Sequence, residues 1–185
     1  MITPEDKIYS RIYDGGGFRL VDINHLMPNQ IHIHGIAHSL SLLCRFGGNL
    51  IEHYSVAQHS VILSQILEEH GPKKAMWGLM HDASEAYVTD LPSPIKHQLD
   101  DFMDLENRIV QKIAEKFELG WPMPMVVKKE DQILIRREQI CLQRCLPISG
   151  ESVGSIVPVS ALEAEIMFLR QYLKLKKELL LQSGE

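Results

Sequence analysis

Four side chains in this sequence are of types that hold a divalent cation, and they fall on three separate stretches: His59, His81 with Asp82, and Asp131. His81 and Asp82 are neighbours in a segment that reads as helix. Their side chains therefore project about 100° apart and can meet one ion from adjacent directions. His59 lies on the apolar stripe Val56, His59, Leu63, Ile66 and Leu67 of the preceding helical segment. A short connection favours antiparallel packing of consecutive helices, which brings His59 to the inner face beside His81. Asp131 stands between Val126-Val127 and Ile133-Leu134-Ile135. Two imidazoles with two carboxylates suit Mn, Fe, Co, Ni or Zn. An ion with open positions polarises a phosphoryl oxygen and acidifies water. Phosphate-ester hydrolysis needs such help because it is extremely slow unaided. Spacing alone leaves a plainer alternative standing: a His on a helix stripe is often a satisfied core residue, and a His-Asp pair occurs by chance.

The elements that must position these residues follow from hydrophobic period and punctuation. Residues 1–30 read as an irregular segment, broken by Gly15-Gly16-Gly17 and Pro28-Asn29, with Phe18 to Ile23 as a strand or extended stretch. From Ile31 the apolar residues Ile33, Ile36, Ala37, Leu40 and Leu43 recur at helical spacing. That helix is expected to run to Gly47-Gly48, with Arg45 in its last turn. A second helix starts near Ser55 and closes at Gly71-Pro72. A third carries His81-Asp82 and ends before Leu91-Pro92-Ser93-Pro94. Further helices are expected over about 100–117, 125–146 and 160–181, the last opened by Ser160 with Glu163 as a capping box. Its apolar residues Leu162, Ile166, Leu169 and Leu173 share one side, which either closes the core or pairs two copies in a homodimer. The expected architecture is all-α: a single helical bundle of five to seven helices. Its core spans 31–146, and a loop with a C-terminal helix packs on it over 147–185.

Bulk composition narrows the function classes. The 185 residues suit one domain, and 45% hydrophobic with 23% charged residues is ordinary for a globular chain. A formal net charge of −5 without a basic run gives no footing for nucleic acid. Three cysteines, Cys44, Cys141 and Cys145, form no disulfide framework. The polar first residues and the lack of a long apolar run predict neither signal peptide nor membrane span, hence a cytoplasmic protein.

The stretch Tyr54-Ser55-Val56-Ala57-Gln58-His59-Ser60, followed by His81-Asp82-Ala83-Ser84-Glu85 and Asp90-Leu91-Pro92, resembles the HD-domain phosphohydrolases. The likeness covers about residues 18–145 and is nearest to the bacterial HD-type 5′-nucleotidases and their relatives. It implies an HD-domain core with His59, His81, Asp82 and Asp131 as metal ligands, Glu130 being a competing candidate for the last. The implied cofactor is one divalent ion: Mn, Co, Fe, Ni, Zn or Mg. Glu85, one turn beyond His81, matches an acid that orients or deprotonates the attacking water. Asp90 matches a second acid, acting on the leaving oxygen or binding the sugar, and reads equally as a turn former. Arg45 matches an arginine that binds substrate phosphate, against a plain helix-end cation. His38 recurs in the nearest relatives and either orients a ligand or a carboxylate or is a hydrogen-bonded core histidine. Glu138, seven residues after Asp131 and so on the same helix face, either bonds His38 or is solvated. The implied activity is hydrolysis of a phosphate monoester, a nucleoside 5′-monophosphate above all. Nucleoside triphosphate or alarmone hydrolysis is the enzymatic alternative, and a non-catalytic nucleotide sensor is the alternative of another class. Gln58 departs from the nucleotidases, which more often carry an acid directly before the first His.

Overall fold

A computed structural model of the chain describes residues 9–143 and 155–184. Cys145, the expected end of the fifth helix and most of the loop after it lie outside the described residues. The protein is mainly α-helical, with one small two-stranded sheet. No helix among the described residues is long and apolar enough to cross a membrane.

Strands β1 (Tyr9–Tyr13) and β2 (Phe18–Asp22) form an antiparallel hairpin, with Ser10 opposite Val21 and Ile12 opposite Arg19. Its turn is closed by Asp14, whose Oδ1 accepts from the backbone N–H groups of Gly16 and Gly17. The irregular reading is therefore corrected over Tyr9–Tyr13, while Phe18–Asp22 forms a strand where one was expected. Each strand buries one large apolar side chain, Ile12 or Val21, too few for an alternating pattern to register.

Helix α1 (Ile33–Leu42) stops short of the expected end. Cys44 then pairs as an extended bridge with Ser55, and Arg45–Gly48 make a 3-10 turn. Phe46 there takes the left-handed conformation, with φ at 56°, which is costly outside glycine. Arg45 is thus no solvated helix-end cation; it is 8% exposed. Helix α2 (Val56–Ile66) begins where expected, capped by Ser55 Oγ accepting from the Gln58 N–H. Helix α3 (Pro72–Met80) ends one residue before His81, and His81 to Ser84 form a hydrogen-bonded turn instead of continuing it. Two single-turn helices follow, α4 (Glu85–Val88) and α5 (Ser93–Lys96). Then come α6 (Asp100–Lys116), α7 (Met125–Leu142) and α8 (Ala161–Ser183).

The core lies where α2 and α3 pack together beneath α8, around Leu63, Leu67, Trp77, Leu79, Met80 and Phe168. The last helix buries Ala164, Phe168, Gln171 and Leu175, not the expected stripe. Leu162, Ile166 and Leu173 are exposed and Leu169 is half-buried. Both sides of α8 carry helical apolar spacing, so period alone did not choose between them.

Gly78 sets how closely α3 approaches α2. A Cβ there would lie 2.6 Å from Leu67 Cδ1 and 3.2 Å from the Ser64 backbone. The start of α2 meets the end of α3, so this contact also fixes the distance between His59 and His81. We expect Gly78→Ala to lower the denaturation free energy by about 1–3 kcal/mol, as overpacking does. Urea unfolding with an unchanged slope measures it; wild-type stability would show the crossing to be looser than described.

Candidate metal centre and the cleft above it

His59 comes from the first turn of α2, His81 and Asp82 from the turn after α3, and Asp131 from the second turn of α7. The structure brings all four side chains together. His59 Nε2 lies 3.3 Å from His81 Nε2 and 3.1 Å from Asp131 Oδ1. Asp82 Oδ2 lies 3.1 Å from His81 Nε2 and 3.8 Å from His59 Nε2. His81 Nε2 is 3.8 Å from Asp131 Oδ1. Donors bound at about 2.1 Å to one ion stand roughly 3.0–3.4 Å apart in octahedral or tetrahedral arrangement, which is the scale seen here. His59, His81 and Asp131 are by themselves grouped tightly enough to hold an ion, and Asp82 borders the same space.

The hydrogen bonds behind the imidazoles decide what their Nε2 atoms can do. His59 Nδ1 is 2.6 Å from Glu138 Oε1, and His81 Nδ1 is 2.8 Å from the Gly78 carbonyl oxygen. Both acceptors need a proton on Nδ1, so each neutral ring presents a bare lone pair at Nε2. Two such lone pairs facing each other at 3.3 Å require a cation or a proton between them. Asp131 Oδ1 points the same way: it is buried near His59, yet has no hydrogen-bonding geometry with any partner. The donor set therefore fits a divalent ion.

Without an ion, protonation meets that need. Burial opposes a charge on His81, but Asp82 and Asp131 outweigh it and push the imidazole up to about 9. Burial would raise Asp82, yet His81, His59 and Arg45 hold its carboxyl far below the usual carboxylate range.

Glu138 is the hub behind the site. Its carboxylate is fully buried and accepts from His59 Nδ1, from Tyr54 Oη at 2.7 Å and from Arg45 Nε at 3.2 Å. Burial opposes its ionisation, but His59, Arg45 and Tyr54 together keep it below its ordinary value. The seven-residue step from Asp131 does return Glu138 to the site, though its partner is His59 and not His38. His38 instead pairs with Glu165 of α8 at 3.1 Å and packs against the tilted Tyr13 ring, away from the donor cluster. Of the competing acids, Asp131 enters the cluster and Glu130 does not.

A cleft of about 390 Å³ opens directly over the donors. Arg45, Asp82, Glu85, Asp90, Lys96 and Asp131 line it, so the expected catalytic and substrate residues share one wall-to-wall space. Arg45 reaches Asp82 at 3.4 Å while braced by Glu138. Glu85 is 5% exposed, with Oε2 in no hydrogen bond. Burial first, then the charges of Asp82 and Asp90, raise its carboxyl well above the ordinary range. Asp90 is raised as well, mainly by burial, with Asp82 adding and Arg45 opposing. Lys96 went unnoticed in the sequence. It bonds Glu106 at 2.8 Å and stands 4.0 Å from Glu85. Only its place after Pro92 and Pro94, near Asp90, could have drawn attention to it.

No family model matches the chain. Over 131 residues it is 40% identical to YfdR, an uncharacterized protein of Escherichia coli, covering 71% of this chain and 70% of that one. The chain belongs to the YfdR family. A second relative, an uncharacterized protein of Rhodobacter capsulatus, is 27% identical over 130 residues, covering 66% of this chain and 65% of its own. Neither YfdR nor this second protein has a name that states an activity, so the chemistry rests on the site itself.

Gln58, the departure noted beside His59, has a structural task. Its amide donates to the Val157 carbonyl at 2.8 Å and accepts from the Val159 N–H at 3.0 Å. A carboxylate could not donate, so an acid here would lose half of the link that ties the lead-in of α8 to α2.

Two predictions follow from the protonation pattern and from Glu138. Since His81 holds its proton up to about 9, cation uptake below that pH displaces it, and affinity rises with pH towards that value. Calorimetry of manganese binding in buffers of different ionisation heat reads the proton count; pH-independent affinity would contradict the donor assignment. Glu138→Gln should weaken manganese binding by about 10–100-fold, the usual effect of losing a ligand's supporting carboxylate. Unchanged affinity in a folded variant would remove Glu138 from that role.

Proposed function

We propose that the protein is a metal-dependent phosphohydrolase of HD type that cleaves a phosphate monoester, a nucleoside 5′-monophosphate being the favoured substrate. The observation that carries this reading is the cleft placing Glu85, Arg45 and Lys96 over the His59, His81, Asp82 and Asp131 donors. Its volume is in the range of small-ligand sites. The resemblance of the His59, His81-Asp82 and Glu85 segments to HD-type nucleotidases supports the same reaction.

A divalent ion on the four donors would polarise a phosphoryl oxygen and make water easier to deprotonate. Arg45 and Lys96 set positive charge along the cleft against the dianionic phosphate. Glu85, in its ionised form, takes a proton from the attacking water as the oxygen bonds to phosphorus. The P–O ester bond breaks on the far side, and the leaving alkoxide takes up a proton. Asp90 suits that transfer, because burial favours its protonated form. The products are inorganic phosphate and an alcohol, here a nucleoside. A small-molecule substrate also fits the net charge of −5, which disfavours nucleic acid. A reducing cytoplasm suits Cys44, which forms no disulfide.

A phosphate-release panel over nucleoside monophosphates with Mn, Co or Mg tests the proposal. Asp82→Ala should abolish release, and Glu85→Gln should lower kcat by about 10²–10⁴-fold while retaining the ion. Because Glu85 must ionise and its carboxyl is raised, the rate should climb with pH through that elevated value, a limb that Glu85→Gln removes. Absence of phosphate release from every nucleotide by metal-loaded protein would overturn the reading. Tight nucleotide binding without turnover would favour a sensor, and pyrophosphate or triphosphate as product a triphosphate or alarmone hydrolase.

A further inference from the structure

The side of α8 turned away from the core carries Leu162, Ile166, Leu169 and Leu173, spaced by four, three and four. Those steps keep all four within a narrow arc, as in the seam of a paired coil. Leu162 is 68%, Ile166 39% and Leu173 62% exposed, while Leu169 is half-buried at the centre. Their arc lies opposite the buried face of Ala164, Phe168, Gln171 and Leu175, so no rotation of α8 could hide both. A solvent-facing apolar stripe on a helix already anchored by its other side marks a contact surface.

The charges beside the stripe indicate what covers it. Glu163 and Glu165 flank its start; Arg170 and Lys177 follow on the side of Glu163. The order of the apolar residues is unchanged when the helix is reversed about its midpoint between 167 and 168. Two copies in antiparallel alignment then set Leu162 against Leu173 and Ile166 against Leu169. The same alignment brings Glu163 of one copy near Arg170 of the other, twice by symmetry. Parallel alignment would instead set Arg170 beside Glu165 of the other copy, a carboxylate that His38 already engages, and leave Glu163 with no cation opposite it. We propose that the protein forms a two-fold homodimer through antiparallel pairing of this face of α8. Among the described residues none of α8 lines the cleft, so the pairing leaves the candidate metal centre open.

Sedimentation velocity of the full chain over a range of concentrations tests this. Wild type should pass from monomer to dimer as concentration rises, and Leu162→Glu with Leu173→Glu should stay monomeric with an unchanged circular dichroism spectrum. Arg170→Glu should raise the dimer Kd at least about tenfold, through like charges set opposite each other. Adding Glu163→Arg to it should restore pairing in the antiparallel arrangement. A wild-type monomer at every concentration, or a dimer untouched by the leucine variants, would overturn the proposal. Failure of the charge exchange to restore pairing in a folded double variant would overturn the antiparallel alignment.

Discussion

Two imidazole nitrogens, His59 Nε2 and His81 Nε2, face each other at 3.3 Å inside the protein, and much of the surrounding structure exists to hold them so. Their other nitrogens are committed, one to a buried carboxylate and one to a main-chain carbonyl. Left neutral, the pair is repulsive, and a cation or a bound proton removes the repulsion. The carboxylates of Asp82 and Asp131 border the same point, adding negative charge where the cation would sit. Arg45 offsets Asp82, but the facing lone pairs and Asp131 Oδ1 are costly to hold together unless a positive charge joins them.

The fold supplies this geometry with few parts. Gly78 lets α3 lie close on α2 and also provides the carbonyl that orients His81. Glu138, one face-repeat beyond Asp131 on α7, fixes His59, Tyr54 and Arg45 at once. Arg45 in turn reaches back to Asp82, so His59 on α2, Glu138 on α7 and Asp82 in the turn after α3 are joined by one hydrogen-bonded network. Glu138, His59, Tyr54 and Arg45 are buried with their partners, and Asp82 is half-buried at the cleft. Removing one strands the others without water, which is why such networks tend to fail as units.

The stripe carrying His59 and the apolar flanks of Asp131 could be seen in the sequence, because side chains on helices inherit helical spacing, and His81-Asp82 stood out as an adjacent pair although it lies in a turn. The starts of α2, α7 and α8 were legible too, through Ser55, Pro124 and Ser160. What escaped were features set by distant contacts. Glu138 shows its proximity to the site by period, but nothing local says that it meets His59 across 79 positions and leaves His38 to Glu165. Lys96 sits in a short helix whose approach to Glu85 depends on two prolines and on Glu106. The turn at Arg45 broke an apparently continuous helical pattern because Phe46 and Gly47 adopt left-handed backbone. On α8, two apolar faces competed and packing selected the less leucine-rich one.

Diffraction from manganese-soaked crystals, measured at a wavelength where manganese scatters anomalously, addresses the metal centre most directly. A single strong anomalous peak should lie between His59 Nε2, His81 Nε2 and the carboxylates of Asp82 and Asp131. A peak elsewhere, or none at a manganese concentration that saturates binding in solution, would contradict the assignment of these four side chains as one cation site.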